Sequence, residues 1–358
     1  MTVPGHRDAG LPELDIAPYL AADFSPGGHA FVAQLGGVVH ETGFFYLVGH
    51  GIPLDLFDRV HEIARRFFAL PEAQRLEIEN VKSPQFRGYT RFGHERTNGL
   101  VDLREQIDIG RELPVRQLGP RDPAWLRLRG PNLWPAALPE LRPVMTKWMD
   151  QLERLGQSVL RALASGLGLD GDAFSPAVAP PEVLLKVIRY VTPSDQRGGD
   201  RQGVGAHRDT GLLSFVHQDA VGGLQVERGG QLLDVPARRG ALVVNIGEMF
   251  QLVTRGYYKA TVHRVVSPPP GLERISVAYF FNPNLESTLA PVDLPPALAA
   301  LAPGGASDDP LNPILANYGD NSLKVRLRSH PDVAERHHAD LLAAGTWSVP
   351  GSASVRRG

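Results

Sequence analysis

The segment Gly205-Ala206-His207-Arg208-Asp209-Thr210-Gly211 places an imidazole and a carboxylate two residues apart. In an extended strand, residues i and i+2 project from one face, so His207 and Asp209 can reach a common point. Together they suit a divalent first-row metal. A second imidazole would complete a facial set with open positions, the arrangement in which a non-haem ferrous ion activates oxygen. Two downstream histidines are candidates. His217 lies ten residues after His207, on the same strand face but about 33 Å away at about 3.3 Å per residue, so only a turn would bring it back. His263 lies 54 residues beyond Asp209 and begins the run His263-Arg264-Val265-Val266. Eleven residues later, Arg274-Ile275-Ser276 puts a guanidinium and a hydroxyl on one strand face, a fork for a carboxylate.

The other histidines have plainer readings. His6, His29, His337 and His338 sit in polar or terminal contexts and read as solvated, while His40 and His61 fall on helix candidates without a partner at ligand spacing. Arg326, Arg328 and His330 read as a solvated basic face before the last helix.

Composition narrows the chemistry further. The 358 residues include no cysteine, which excludes disulfides, Cys-ligated zinc, iron–sulfur clusters and a thiol nucleophile. Any metal must be held by His, Asp, Glu or main chain. With 37 basic against 39 acidic residues, no charge excess points to nucleic acid or an anionic membrane as partner. Met1–Gly10 has no apolar stretch and does not read as a signal peptide. No run approaches the ~18–20 apolar residues of a membrane helix. The expectation is a cytoplasmic protein acting on a small molecule; oligomeric state is not legible.

Elements able to position these residues follow from periodicity. A helix is expected over Ala30–Val39, a strand over Gly43–Val48, and a helix from Pro53 to Pro71 with Phe57, Val60, Ala64 and Phe67 at three- or four-residue steps. The longest helix is expected over Leu141–Leu169, with a single stripe of Met145, Trp148, Leu152, Leu155, Val159 and Leu163. From Val183 the texture changes to short β-prone runs: Val183–Tyr190, Gly211–His217, Gly223–Val226, Leu232–Val235, Ala241–Ile246, His263–Val266 and Ile275–Phe281. Helices first and strands afterwards, with no G-x-G-x-x-G after a strand, argue for an antiparallel sandwich or barrel and against a βαβ fold. After Asn284 an Ala-, Pro- and Gly-rich stretch reads as a long loop, followed by a helix over Pro331–Ala344.

The ordered set of motifs resembles the iron(II)/2-oxoglutarate-dependent dioxygenases of the isopenicillin N synthase-like group. The matching stretches are Gly43-Phe44-Phe45 to His50-Gly51-Ile52, Phe67–Pro71, Gly88-Tyr89 to Glu95, Asp102–Glu105, the His207/Asp209 segment, Asn245–Met249, Thr254-Arg255-Gly256 to Val265, and Arg274-Ile275-Ser276. The resemblance implies a mostly β core with flanking helices: a double-stranded β-helix (jelly roll, cupin-like) with an N-terminal helical layer and a C-terminal helix. Residues 11–175 would form the N-terminal region, 183–285 the catalytic core, and 286–358 a C-terminal loop and helix. It implies iron ligation by His207, Asp209 and His263, and 2-oxoglutarate held by Arg274, Ser276 and Tyr190. The sequence departs from the group around Tyr190, where no Tyr-Pro follows and Ile188 stands where an Asn is common.

Tyr89, Arg91, Leu213, Phe215 and Phe281 are expected to line the substrate pocket, and C-terminal segments in this group can fold over the pocket mouth, which would bring Arg328 to an acidic substrate. The implied reaction consumes O2 and 2-oxoglutarate, stimulated by ascorbate, and releases succinate and CO2 while hydroxylating, desaturating or ring-closing an unactivated C–H in specialised metabolism. Alternatives are a related oxidase that does not consume 2-oxoglutarate and a silent ligand-binding barrel.

Overall fold

A computed structural model describes residues 8–194, 201–304 and 313–344. In chain order the strands are β1 (Glu13–Asp15), β2 (Phe44–Val48), β3 (Gly88–Thr90), β4 (Arg96–Thr97), β5 (Leu100–Val101), β6 (Arg104–Gly110), β7 (Glu182–Val191), β8 (Gln202–His207), β9 (Leu213–Gln218), β10 (Leu224–Arg228), β11 (Gln231–Asp234), β12 (Leu242–Ile246), β13 (His263–Val266) and β14 (Glu273–Asn282). Eight of them form one sheet in the order β1-β2-β12-β9-β14-β7-β6-β3, and four form a second in the order β11-β10-β13-β8. The two sheets fold against each other as a double-stranded β-helix, whose interior holds a cavity.

The period of two along each strand divides the large sheet into two faces. Val183, Leu185, Val187, Leu213, Phe215, Val277, Tyr279 and Phe281 point to the helices and belong to the main apolar core. Leu184, Lys186, Ile188, Tyr190, Val216, Arg274, Ser276, Ala278 and Phe280 point into the barrel. β7 and β14 pair over their full ten residues, with Arg274 opposite Tyr190 and Ser276 opposite Ile188.

The helix Leu141–Gly166 buries Met145, Trp148, Leu152, Leu155 and Val159 against that core, as its stripe predicts. Its approach to the sheet needs Gly156: a Cβ there would stand 2.8 Å from the Phe281 ring. Among the described residues no helix is long and apolar enough to cross a membrane.

The C-terminal part differs from expectation. A helix covers Tyr318–Ser329, and the region expected as one helix is divided into Pro331–His337 and Ala339–Ala343. The Tyr318–Ser329 helix escaped notice because its sequence, YGDNSLKVRLRS, carries little apolar periodicity. Tyr318, Leu323 and Leu327 bury it in the main apolar core, and Arg326 pairs it with Asp108. Strands β6 and β8 were also not anticipated; β6 is polar, reading REQIDIG, yet buried at every position.

Candidate metal centre and substrate cavity

His207 ends β8 and His263 begins β13, and the two are register partners across the ladder. Their rings lie 4.3 Å apart. Asp209 follows in the loop after β8 and presents Oδ1 at 3.5 Å from His207 Nε2 and 3.7 Å from His263 Nε2. All three ligand atoms fall within 4.8 Å of one another, the one such His/Asp/Glu group among the described residues. Cis ligands about 2.1 Å from an ion stand about 3 Å apart, so small side-chain adjustments would seat a metal here. His207 Nδ1 lies 2.8 Å from the Gly205 carbonyl and His263 Nδ1 3.2 Å from that of Thr261. An N–H donated there leaves each Nε2 lone pair aimed at the common point.

Oδ2 of Asp209 is engaged elsewhere. Ser214 Oγ donates to it at 2.5 Å and Asn245 Nδ2 at 2.8 Å. These donors are register partners on β9 and β12, and only Oδ1 is left for a metal. The loop is clamped from beneath, since Glu248 N donates to the Asp209 carbonyl at 2.7 Å. The neighbouring Gly247 tolerates no side chain, because a Cβ would stand 2.2 Å from the Gly211 carbonyl. Burial opposes ionisation of Asp209, yet His263, His207 and the Asn245 amide hold its carboxyl well below the usual range. Burial and the adjacent His207 push His263 down to about 4, so it is a neutral imidazole at neutral pH. Burial opposes protonation of His207, but the Asp209 carboxylate and the Gly205 carbonyl outweigh it and raise that imidazole above its ordinary value, so a ferrous ion competes with a proton there.

Deeper in the barrel, Arg274 is 1% exposed. Its Nη2 donates to Gln218 Oε1 at 3.1 Å and its guanidinium lies 4.8 Å from the centre of the Tyr190 ring. Nε and Nη1 have no partner. Ser276 Oγ is 3.5 Å from Tyr190 Oη. A buried guanidinium with two unmet donors beside two hydroxyls fits a carboxylate, since leaving those donors unpaired is costly. Tyr190, Arg274, Ser276, His207, Asp209 and His263 all open onto one cavity of 780 Å³.

The other expected lining residues are not brought there, with one exception. Leu213, Phe215 and Phe281 have the wrong strand parity and lie in the helix-packed core; their neighbours Val216 and Phe280 face the cavity. Tyr89 and Arg91 line a separate hollow of 410 Å³, where Tyr89 donates to Glu105 and Arg91 pairs with Glu79. Arg328 does line the cavity. His217 points to the helix side and packs edge-on to His61 and Phe57, which removes it as a ligand candidate. His338 is fully buried rather than solvated, with Nε2 2.9 Å from the Pro84 carbonyl and its ring stacked on Phe86.

Sequence reasoning missed a charged wall that the fold assembles from distant segments. Lys186 Nζ reaches Glu95 at 3.0 Å and Asp108 at 3.3 Å. Arg104 reaches Glu95 at 3.2 Å and Asp102 at 2.9 Å. Arg326, on the helix that roofs the cavity, pairs with Asp108 at 2.5 Å. His330 is 0% exposed, 3.8 Å from both Glu95 and Asp108, with burial holding it down to about 4. Arg326 and His330 are therefore not part of a solvated face. The only signal in the sequence was an unusual density of charge in otherwise buried-looking strands.

Comparison with known proteins agrees with this architecture. Residues 11–137 match the family model for the N-terminal region of non-haem dioxygenases in morphine synthesis, and residues 183–283 that of the 2OG-Fe(II) oxygenase superfamily. The chain is 34% identical over 350 residues to the 2-oxoglutarate-dependent dioxygenase frbJ of Dothideomycetidae sp. (strain 11243), covering 93% of this chain and 94% of that protein. It is 32% identical over 295 residues to a homoarginine-6-hydroxylase of Arabidopsis thaliana, covering 79% and 88%. The crystal structure of a 2OG-Fe(II) oxygenase family protein from Caulobacter crescentus superposes with a TM-score of 0.69 at 28% identity, covering 89% of this chain and 98% of that one. That of a full-length Neurospora crassa protein in complex with alpha-KG superposes with a TM-score of 0.71 at 27% identity, covering 88% and 94%.

Proposed function

This chain belongs to the 2OG-Fe(II) oxygenase superfamily and is a 2-oxoglutarate-dependent dioxygenase, and from that premise we propose how its residues divide the work. His207, Asp209 and His263 hold the iron. Arg274, Ser276 and Tyr190 hold the distal carboxylate of 2-oxoglutarate. The observation that carries this reading is the placement of Arg274, which is buried with two unmet donors in the same cavity as the three ligand atoms. When bound, iron and the keto acid supply the oxidising power, with succinate and CO2 as co-products. The protein supplies two imidazoles, one oxygen of one carboxylate, an anion clamp and the cavity onto which they open.

The substrate is a free small molecule, taken up beneath the roof helix Tyr318–Ser329. The near-neutral charge of the chain supports this over a nucleic acid. The relatives named for hydroxylation of homoarginine support a polar substrate of modest size. The decisive experiment couples succinate release to substrate consumption and looks anaerobically for the visible charge-transfer band of Fe(II) with 2-oxoglutarate. No band, and no succinate during turnover, would replace this reading with an oxidase that does not use the keto acid.

A further inference from the structure

The barrel-facing residues of β7 and β14 stand in cross-strand pairs along the cavity floor. Arg274 opposite Tyr190 ends the row on the side of the keto acid, and Asn282 opposite Glu182 ends it on the other. Parity turns both Asn282 and Glu182 into the cavity. One step back, Phe280 pairs with Leu184 on β7 and with Ser214 on β9, and Ser214 holds Asp209. The Glu182·Asn282 pair therefore lies about 7 Å along the strand from the support of the metal carboxylate. The Asn282 side chain also lies against Gly211, two residues after Asp209, where a Cβ would stand 1.6 Å from Asn282 Oδ1.

Both polar groups are buried with bonding capacity to spare. Asn282 is 4% exposed, yet among the described residues its amide makes no hydrogen bond. Arg87 balances the charge of Glu182, its Nη2 donating to Oε1 at 3.3 Å. The guanidinium reaches that position by taking the space beside Gly110, where a Cβ would stand 2.1 Å from it. No donor reaches Glu182 Oε2 among the described residues, and burial outweighs Arg87 to hold the carboxyl above its usual range. Tyr318 and Ser322, one turn apart on the roof helix, bring two hydroxyls to the same cavity.

An alkyl group seated here would shut an amide and a carboxylate oxygen away from water unpaired, which is costly. A charged group fares no better. Arg87 already answers Glu182, so an ammonium would leave one buried cation over, and a carboxylate would face Glu182 directly. A neutral group that both donates and accepts meets the pair, giving an N–H or O–H to Glu182 and an oxygen to Asn282. We propose that Glu182 and Asn282 set substrate specificity by binding an uncharged donor–acceptor group of the substrate, of the carboxamide, ureido or hydroxyl type, beside the metal-binding loop. The proposal rests on the assignment of iron and 2-oxoglutarate to the other end of the row, which leaves this end for the substrate.

The test uses the full chain with Mn(II) and saturating 2-oxoglutarate under anaerobic conditions, so that Arg274 is already occupied. Hexanamide, N,N-dimethylhexanamide, hexanoate and hexylamine are compared by calorimetric titration. Hexanamide should bind at least about tenfold tighter than each of the others, since a site built for a donor rejects analogues that lack it or add a charge. Asn282→Leu should erase most of that preference, and Asn282→Ser, which keeps a hydroxyl, should retain part of it. The melting temperature of ligand-free Asn282→Leu should stay level or rise, because the amide has no partner in the fold to lose. The proposal is overturned if any of the other three probes binds as well as hexanamide, or if no probe binds. It is equally overturned if the preference survives Asn282→Leu, or if that variant loses stability without ligand. Thermal stabilisation by Mn(II) and 2-oxoglutarate alone reports on the metal end separately. Its presence without hexanamide preference overturns only the present proposal, and its absence overturns the assignment beneath it.

Discussion

Asn245 donates its amide to Oδ2 of Asp209 at 2.8 Å, on the oxygen that Ser214 Oγ reaches at 2.5 Å. Two donors on one carboxylate oxygen leave the other as the single ligand atom. A carboxylate free to rotate could chelate through both oxygens and take a position that the keto acid or O2 needs. Replacing both donors, as Ser214→Ala with Asn245→Leu, is expected to weaken Mn(II) affinity about 10- to 100-fold, the usual cost of losing such support, and to weaken 2-oxoglutarate binding with it. Calorimetric titration of both ligands checks this. Unchanged affinities would mean that the two donors only fill space.

Arg274 has two donors without partners and is almost wholly buried. Charge-assisted hydrogen bonds contribute about 1.5–3 kcal/mol each. Arg274→Gln should therefore raise the KM for 2-oxoglutarate by at least about tenfold, with a smaller change in the KM for substrate. Arg274→Lys should recover part of the loss, because it restores charge without the planar fork. Steady-state succinate release against keto-acid concentration reads both.

Chelation should separate the roles of metal and fold. EDTA is expected to abolish turnover and lower the melting temperature, and Fe(II) to restore both. Mn(II) should restore the melting temperature alone. In Asp209→Ala neither ion should restore either, since a divalent ion would face two neutral imidazoles. Full activity in that variant would falsify the ligand set.

Stability of the metal-free protein should fall steeply on mild acidification. Burial holds His61 down to about 3 and His217 and His330 to about 4, with the His217 ring and the cations Arg65 and Arg274 adding to the effect at His61. Unfolded, each titrates near its ordinary value of about 6.5. Below that pH the unfolded chain binds protons that the folded chain refuses. Stability is thus complete above about pH 6.5 and is lost as pH falls toward 4, at up to about 1.4 kcal/mol per pH unit for each imidazole. Neither ring nitrogen of His61 has a partner. His61→Leu should therefore flatten the acid limb without loss of stability at neutral pH, which urea melts at several pH values would show.

Much of the fold was legible because long elements carry strong periodicity. The helix Leu141–Gly166 and strands β7 and β14 announce themselves through apolar spacing, and each lies within a few residues of expectation. The spacing of His207, Asp209, His263 and Arg274 suggested a metal and an anion clamp, and the fold does gather those four around one cavity. What failed was parity. Leu213, Phe215 and Phe281 looked like lining because they neighbour lining residues, yet in a strand the adjacent residue faces the opposite side. The roof helix failed for a different reason. It is attached through Arg326 and His330 to Asp108 and Glu95, and pairings across more than two hundred residues leave no local pattern to read.

That distance gives the cavity a place in time. Asp108 and Arg326 are separated by 218 residues, so at about 5–20 residues per second of synthesis the wall waits roughly 10–45 s for its roof. His263 emerges before Arg326, so the three ligand side chains can converge while the cavity above them is still open. The nascent barrel is a wide-mouthed vessel until then, and its mouth takes shape only after its floor.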